Sequence, residues 1–92
     1  MRLMRTYTQI NLFGSLRKRM EDLYNLPIQF DLNSPIPLVD VLRRFDIPLN
    51  MVQLAMVNYR AVPKNSIIKP GDRLSLFPRE YPVFADWKDL RF

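Results

Sequence analysis

A chain of 92 residues, 48% hydrophobic and 25% charged, can build one core and lies far from the composition of disordered chains. It has no cysteine and no histidine, which excludes thiol nucleophiles, persulfide carriage, thiolate or imidazole metal sites and every Ser-His or Cys-His arrangement, so no catalytic residue, metal site or cofactor is expected. The formal net charge of +5 admits acidic partners, and no segment reaches the roughly 20 apolar residues of a membrane span.

The first residues, MRLMRTYTQINLFG, carry arginines but no continuous apolar stretch of the kind a secretory signal needs, so the protein is expected in the cytoplasm. Residues 7–13, YTQINLF, alternate as a strand does, with Thr8, Ile10 and Leu12 on one face and Tyr7, Gln9, Asn11 and Phe13 on the other. Gly14 breaks the strand, and Ser15 can cap a short helix in which Leu16, Met20 and Leu23 share a face. Arg17, Lys18 and Arg19 fall near the positive end of that helix, with Glu21 and Asp22 later, so a brief or distorted turn is expected. Ile28, Phe30 and Leu32 alternate with Gln29, Asp31 and Asn33 in a second strand, which pairs with the first as a hairpin. SPIP, residues 34–37, reads as a loop stiffened by Pro35 and Pro37.

Pro37 suits the first position of a helix whose stripe is Leu38, Val41, Leu42 and Phe45, at i, i+3, i+4 and i+7. Asp40 in its first turn and Arg43 and Arg44 in its last agree with the helix dipole, and Asp46-Ile47-Pro48 ends it. Residues 52–57, VQLAMV, are almost continuously apolar, as in a central strand. Asn58, Tyr59 and Arg60 form a polar corner, and residues 61–72 are irregular up to the Pro70-Gly71 turn signal. Arg73 to Phe77 alternate again, with Leu74 and Leu76 inward. Strand, strand, helix, strand, short edge piece, strand is the order of an α+β, β-grasp (ubiquitin-like) fold, with a mixed sheet of four to five strands packed on one main helix. The first and last strands then lie parallel at its centre.

Three stretches, INLFGSLRKRM, PLVDVLRRFDIP and AMVNYRAVPKNSIIKPGDRLSLFP, together resemble the ubiquitin-like sulfur carriers MoaD, the small subunit of molybdopterin synthase, and ThiS of thiamine synthesis. Those families share an LF-x-x-LR strand end, a T-V-x-D-L-L helix, and V-N-G-x-x-V leading through L-x-D-G-D-x-V to L-F-P. The match covers about residues 7 to 78, so a domain over 1–78 and a tail over 79–92 are expected. The resemblance implies a hydrophobic patch on the open sheet face that grips an activating enzyme or a synthase large subunit. Phe13, Leu54 and Phe77 are the candidates for it.

Two departures bear on function. The carriers end in a diglycine that is adenylated and converted to a thiocarboxylate, and the missing Cβ atoms let it thread a narrow channel. Here the only glycines are Gly14 and Gly71, and the stretch after LFP, REYPVFADWKDLRF, carries Tyr81, Phe84, Trp87 and Phe92 instead. These four aromatics dock either on their own domain or on a partner, since a helix of six or seven residues cannot hold itself together in water. The second departure is Tyr59, standing where the family has glycine after asparagine; positive φ is costly for tyrosine, so a rebuilt corner is expected.

The expectation is therefore a non-catalytic MoaD/ThiS-like binding module or small subunit. Its partner is a protein: by resemblance an activating enzyme, a synthase large subunit or a cofactor-dependent oxidoreductase of sulfur transfer or molybdenum or tungsten cofactor metabolism. Two alternatives stay open: a sulfur carrier using an unconventional C terminus, and an RNA-binding TGS-like module. The scattered basic residues weigh against nucleic acid, and Arg17-Lys18-Arg19 and Arg43-Arg44 read as solvated surface. A homo-oligomer built on an exchanged tail is also open.

Overall fold

Residues 7–79 are described in the structure, a computed structural model. In chain order they form β1 (Thr8–Leu12), α1 (Gly14–Met20), β2 (Ile28–Phe30), β3 (Ile36–Pro37), α2 (Leu38–Arg44), a 3-10 turn (Leu49–Met51), β4 (Val52–Val57), β5 (Arg60–Val62), β6 (Ile67–Ile68) and β7 (Arg73–Pro78). The architecture is α+β. Five strands make a mixed sheet in the order β2-β1-β7-β4-β5, and β3 and β6 make a separate ribbon.

The first and last strands of the sheet are parallel neighbours, with Ile10 beside Leu74 and Leu12 beside Leu76. Every other pairing in the sheet is antiparallel. Period-two alternation in β1 and β7 drives Ile10, Leu12, Leu74 and Leu76 into one core with Leu16 and Met20 of α1, Leu38, Val41 and Leu42 of α2, and Ile68 of β6. A parallel pair needs a long crossover, and the segment between β1 and β7 carries both helices over the same face of the sheet.

The short helix differs from expectation at both ends. Phe13, in an extended conformation, takes the N-cap position in place of Ser15, and the helix stops at Met20. Arg17, Lys18 and Arg19 therefore occupy the last turn, where the dipole favours cations, and the expected conflict disappears. Ending the helix early also leaves Leu23 off the core face, 69% exposed.

Helix α2 begins after Pro37, which is its N-cap rather than its first residue. Its end is a Schellman motif: Asp46 donates its N–H to the Arg43 carbonyl at 3.2 Å, and Ile47 donates to the Leu42 carbonyl at 2.8 Å. Asp46 supplies the positive φ, 58°, that glycine usually provides there. Ile47 and Leu42 are both buried, the apolar contact that accompanies such caps. Phe45 packs edge-on against Tyr24 and Phe30, closing the core beneath β2.

Two stretches read as irregular hold strands. Ile36 and Pro37 of the SPIP loop pair with Ile68 and Ile67, and Leu38 donates to the Ser66 carbonyl at 2.8 Å. The second strand also stops at Phe30, short of Leu32. Among the described residues, no helix is long and apolar enough to cross a membrane.

The corner at Asn58 and Tyr59 is not rebuilt. Val57 pairs with Arg60 across a two-residue hairpin, and φ is positive at both Asn58 (51°) and Tyr59 (70°). The tyrosine thus adopts the backbone that glycine would have taken. The Arg73 guanidinium lies over its ring, 5.3 Å from the centroid.

Candidate functional site

Alternation along β1 and β7 that buries Ile10, Leu12, Leu74 and Leu76 turns Gln9, Asn11 and Phe13 to the opposite face, beside Arg73, Ser75 and Phe77. At one end of this face the rings of Phe13 and Phe77 stack, with centroids 4.4 Å apart and planes 11° from parallel. Both rings are half-buried.

Leu54 reaches this face through an irregularity. β4 pairs Val52 with Pro78 but Leu54 with Phe77, a bulge that absorbs Gln53. Strict alternation would put Val52, Leu54 and Met56 on one face. With the extra residue, Val52 joins the core beside Pro78, while Leu54 stands next to Phe77 and lies outside the main core cluster although only 5% exposed. Phe13, Leu54 and Phe77 are therefore brought together on this face. Met56 opposite Ser75 extends the apolar area.

Further along the same face the lining becomes polar. Gln9 donates from Nε2 to Asn11 Oδ1 at 3.2 Å, and Asn11 Nδ2 is buried without a hydrogen-bond acceptor. The face is thus amphipathic: aromatic and aliphatic where β7 runs out toward residue 79, amide-rich at the other end. Tyr81, Phe84, Trp87 and Phe92, the remaining candidates, lie outside the described residues.

No described cluster of histidine, cysteine or carboxylate side chains could hold a metal ion. The basic clusters are solvent-facing: Arg17, Lys18, Arg19, Arg43 and Arg44 are all exposed. Arg43 pairs with Asp40 at 3.1 Å across one helical turn, an exposed contact of small energetic weight.

The Gln53 bulge was not legible in the sequence. A continuous apolar run shows no alternation from which a break could be read, and the unit VQLAMV is compatible with either register. No protein-family model matches the chain, and no curated protein matches it in sequence.

Proposed function

We propose that this chain is a cytoplasmic, non-catalytic β-grasp protein related to the MoaD and ThiS sulfur carriers that works as a protein-binding module or small subunit. Its partner is a protein of sulfur transfer or of molybdenum or tungsten cofactor metabolism. The observation that carries this reading is the Phe13–Phe77 stack with Leu54 beside it, on the face of the sheet turned away from the helices. Stacked rings that remain half-exposed form the kind of aromatic anchor on which interface energy concentrates.

Two features of the sequence support the non-carrier part of the reading. The LFGSLR start and the LFP end align the body with the carriers, whereas residues 79–92 contain no glycine and hold four aromatics. Bulky side chains cannot follow the path that a diglycine takes through a narrow channel.

The experiment uses the whole chain, purified and mixed with a molybdopterin-synthase large subunit or a MoaD-type activating enzyme. Co-elution lost in Phe13→Asp supports the reading, and so does partial loss when residues 79–92 are removed. Intact-mass measurement after incubation with activating enzyme, ATP and a sulfur source separates the alternative. A mass increase matching replacement of a carboxylate oxygen by sulfur overturns the non-carrier assignment.

A further inference from the structure

A second surface, independent of the Phe13–Phe77 face, lies at the far edge of the sheet. Among the described residues, β5 is the outermost strand of the sheet and pairs with β4. In a hairpin closed by two residues, the flanking pair Val57–Arg60 is the hydrogen-bonded one, so Ala61 turns its N–H and C=O outward. Pro63, which has no N–H, limits this free edge.

Beside the edge, between β5 and β6, runs an open cleft of about 520 Å³. Val57, Ala61, Val62 and Ile67 supply its apolar wall, and Arg60 and Lys69 its charges. Ile67 is 53% exposed, so an apolar side chain lies in water next to two cations. The one carboxylate in the lining, Asp72, is already committed: it accepts from Asn58 Nδ2 at 3.0 Å and from the Lys69 N–H at 2.8 Å. Among the described residues, neither the Arg60 guanidinium nor the Lys69 ammonium has an ion-pair partner.

We infer that this cleft takes an extended acidic segment of a protein partner, lying along the β5 edge with carboxylates on Arg60 and Lys69 and an apolar side chain against Ile67. Addition of a strand to an exposed edge supplies backbone bonds, and alternate side chains supply specificity. Charge complementarity selects the occupant, because the cleft presents two unpaired cations and a carboxylate sequestered by its neighbours. Single-stranded nucleic acid is disfavoured because the described lining holds no aromatic side chain on which a base could stack, and the neighbouring Tyr59 ring carries the Arg73 guanidinium.

The test is an NMR titration of the isotope-labelled full chain with the blocked hexapeptide Glu-Val-Asp-Val-Glu-Val. The largest amide shifts are expected at residues 60–62 and 66–69. The double variant Arg60→Glu, Lys69→Glu weakens the affinity about tenfold, the combined effect of two surface charge pairs, while Arg17→Glu, on the exposed face of α1, leaves it unchanged. If charge reversal unfolds the chain, Ile67→Ser, at an exposed position, serves instead and also weakens binding. The inference is overturned by an absence of shifts at millimolar peptide, or by shifts centred on Phe13 and Phe77. It is equally overturned if blocked hexaglutamate gives the same response spread over Arg17–Arg19 and Arg43–Arg44, or if a uridine oligonucleotide moves the cleft amides at lower concentration than the peptide.

Discussion

Asn58 and Asp72, 14 residues apart in the chain, are joined side chain to side chain by a 3.0 Å hydrogen bond from Nδ2 to Oδ1. The bond ties the β4–β5 hairpin to the turn that launches β7. Asn58 also accepts from the Arg73 N–H through Oδ1 at 3.0 Å and donates its own N–H to the Arg73 carbonyl at 2.8 Å. Asp72 donates its N–H to the Lys69 carbonyl, and Gly71 donates to the Thr8 hydroxyl, so the same corner reaches β1. Asn58→Ala removes two side-chain bonds, worth about 1 kcal/mol each, and puts alanine in a left-handed conformation that costs a further 1–2 kcal/mol or so. The expected loss is about 3 kcal/mol, read as a lower urea midpoint with an unchanged slope.

Tyr59 occupies a backbone conformation that glycine adopts without cost. Its strain, about 1–2 kcal/mol, is partly offset by the Arg73 guanidinium over its exposed ring, roughly 0.5–1 kcal/mol. Tyr59→Gly is therefore expected to raise stability by up to about 1 kcal/mol in thermal or urea unfolding. Tyr59→Ala, which keeps a Cβ and loses the ring, is expected to be the less stable of the two.

The two faces of β7 predict opposite phenotypes. Leu76 is fully buried beside Leu12 and Ala55, and Leu76→Ala is expected to cost about 2–5 kcal/mol. Phe77, one residue on, stacks on Phe13 at the half-exposed face. Phe77→Ala removes a stacking contact of about 0.5–1.5 kcal/mol together with the burial of a half-exposed ring, and the expected outcome is a chain that stays folded while co-elution with the proposed partner is lost. Loss of folding in Phe77→Ala with partner binding intact in the remaining folded fraction would sink the interface reading.

Leu23 tests the corrected end of α1. A residue on the core stripe would cost several kcal/mol on truncation, whereas the structure leaves this side chain 69% exposed. Leu23→Ala is expected to shift stability by no more than about 0.5 kcal/mol, against Met20→Ala, fully buried in the same segment, at about 2–5 kcal/mol. Equal costs would return Leu23 to the core.

Much of the fold was legible because it rests on periodicity that local chemistry imposes. Thr8, Ile10 and Leu12 alternate, Leu38, Val41 and Leu42 recur at helical spacing, and each set is buried as its pattern required. Gly14 and Pro37 marked boundaries through their φ preferences, and the segment between first and last strands is long enough for the crossover that their parallel pairing needs. Of the candidate interface, alternation set Phe13 opposite Thr8, Ile10 and Leu12, while the choice of Phe13, Leu54 and Phe77 as an outward patch came from the resemblance.

What the chain could not announce are features whose energy comes from partners distant in sequence. The two-residue ribbon of Ile36–Pro37 with Ile67–Ile68 has no local signal, since neither pair is stable without the other and the core beneath Ile68. Positive φ at Asp46 and Tyr59 opposes intrinsic preference, and tertiary context overrides it: the Leu42–Ile47 contact at one site, and at the other the Asn58 bonds to Asp72 and Arg73. Leu54 stands beside Phe77 only because a bulge at Gln53 lets Val52 enter the core, and both registers of an apolar run satisfy the local sequence equally. Composition and period thus determined the main strands, the main helix and their order, and the absence of thiol and imidazole side chains. The tertiary structure decided which apolar residues face outward and which charges remain unpaired, because burial and hydrogen bonding are settled only when strands from opposite ends of the chain meet.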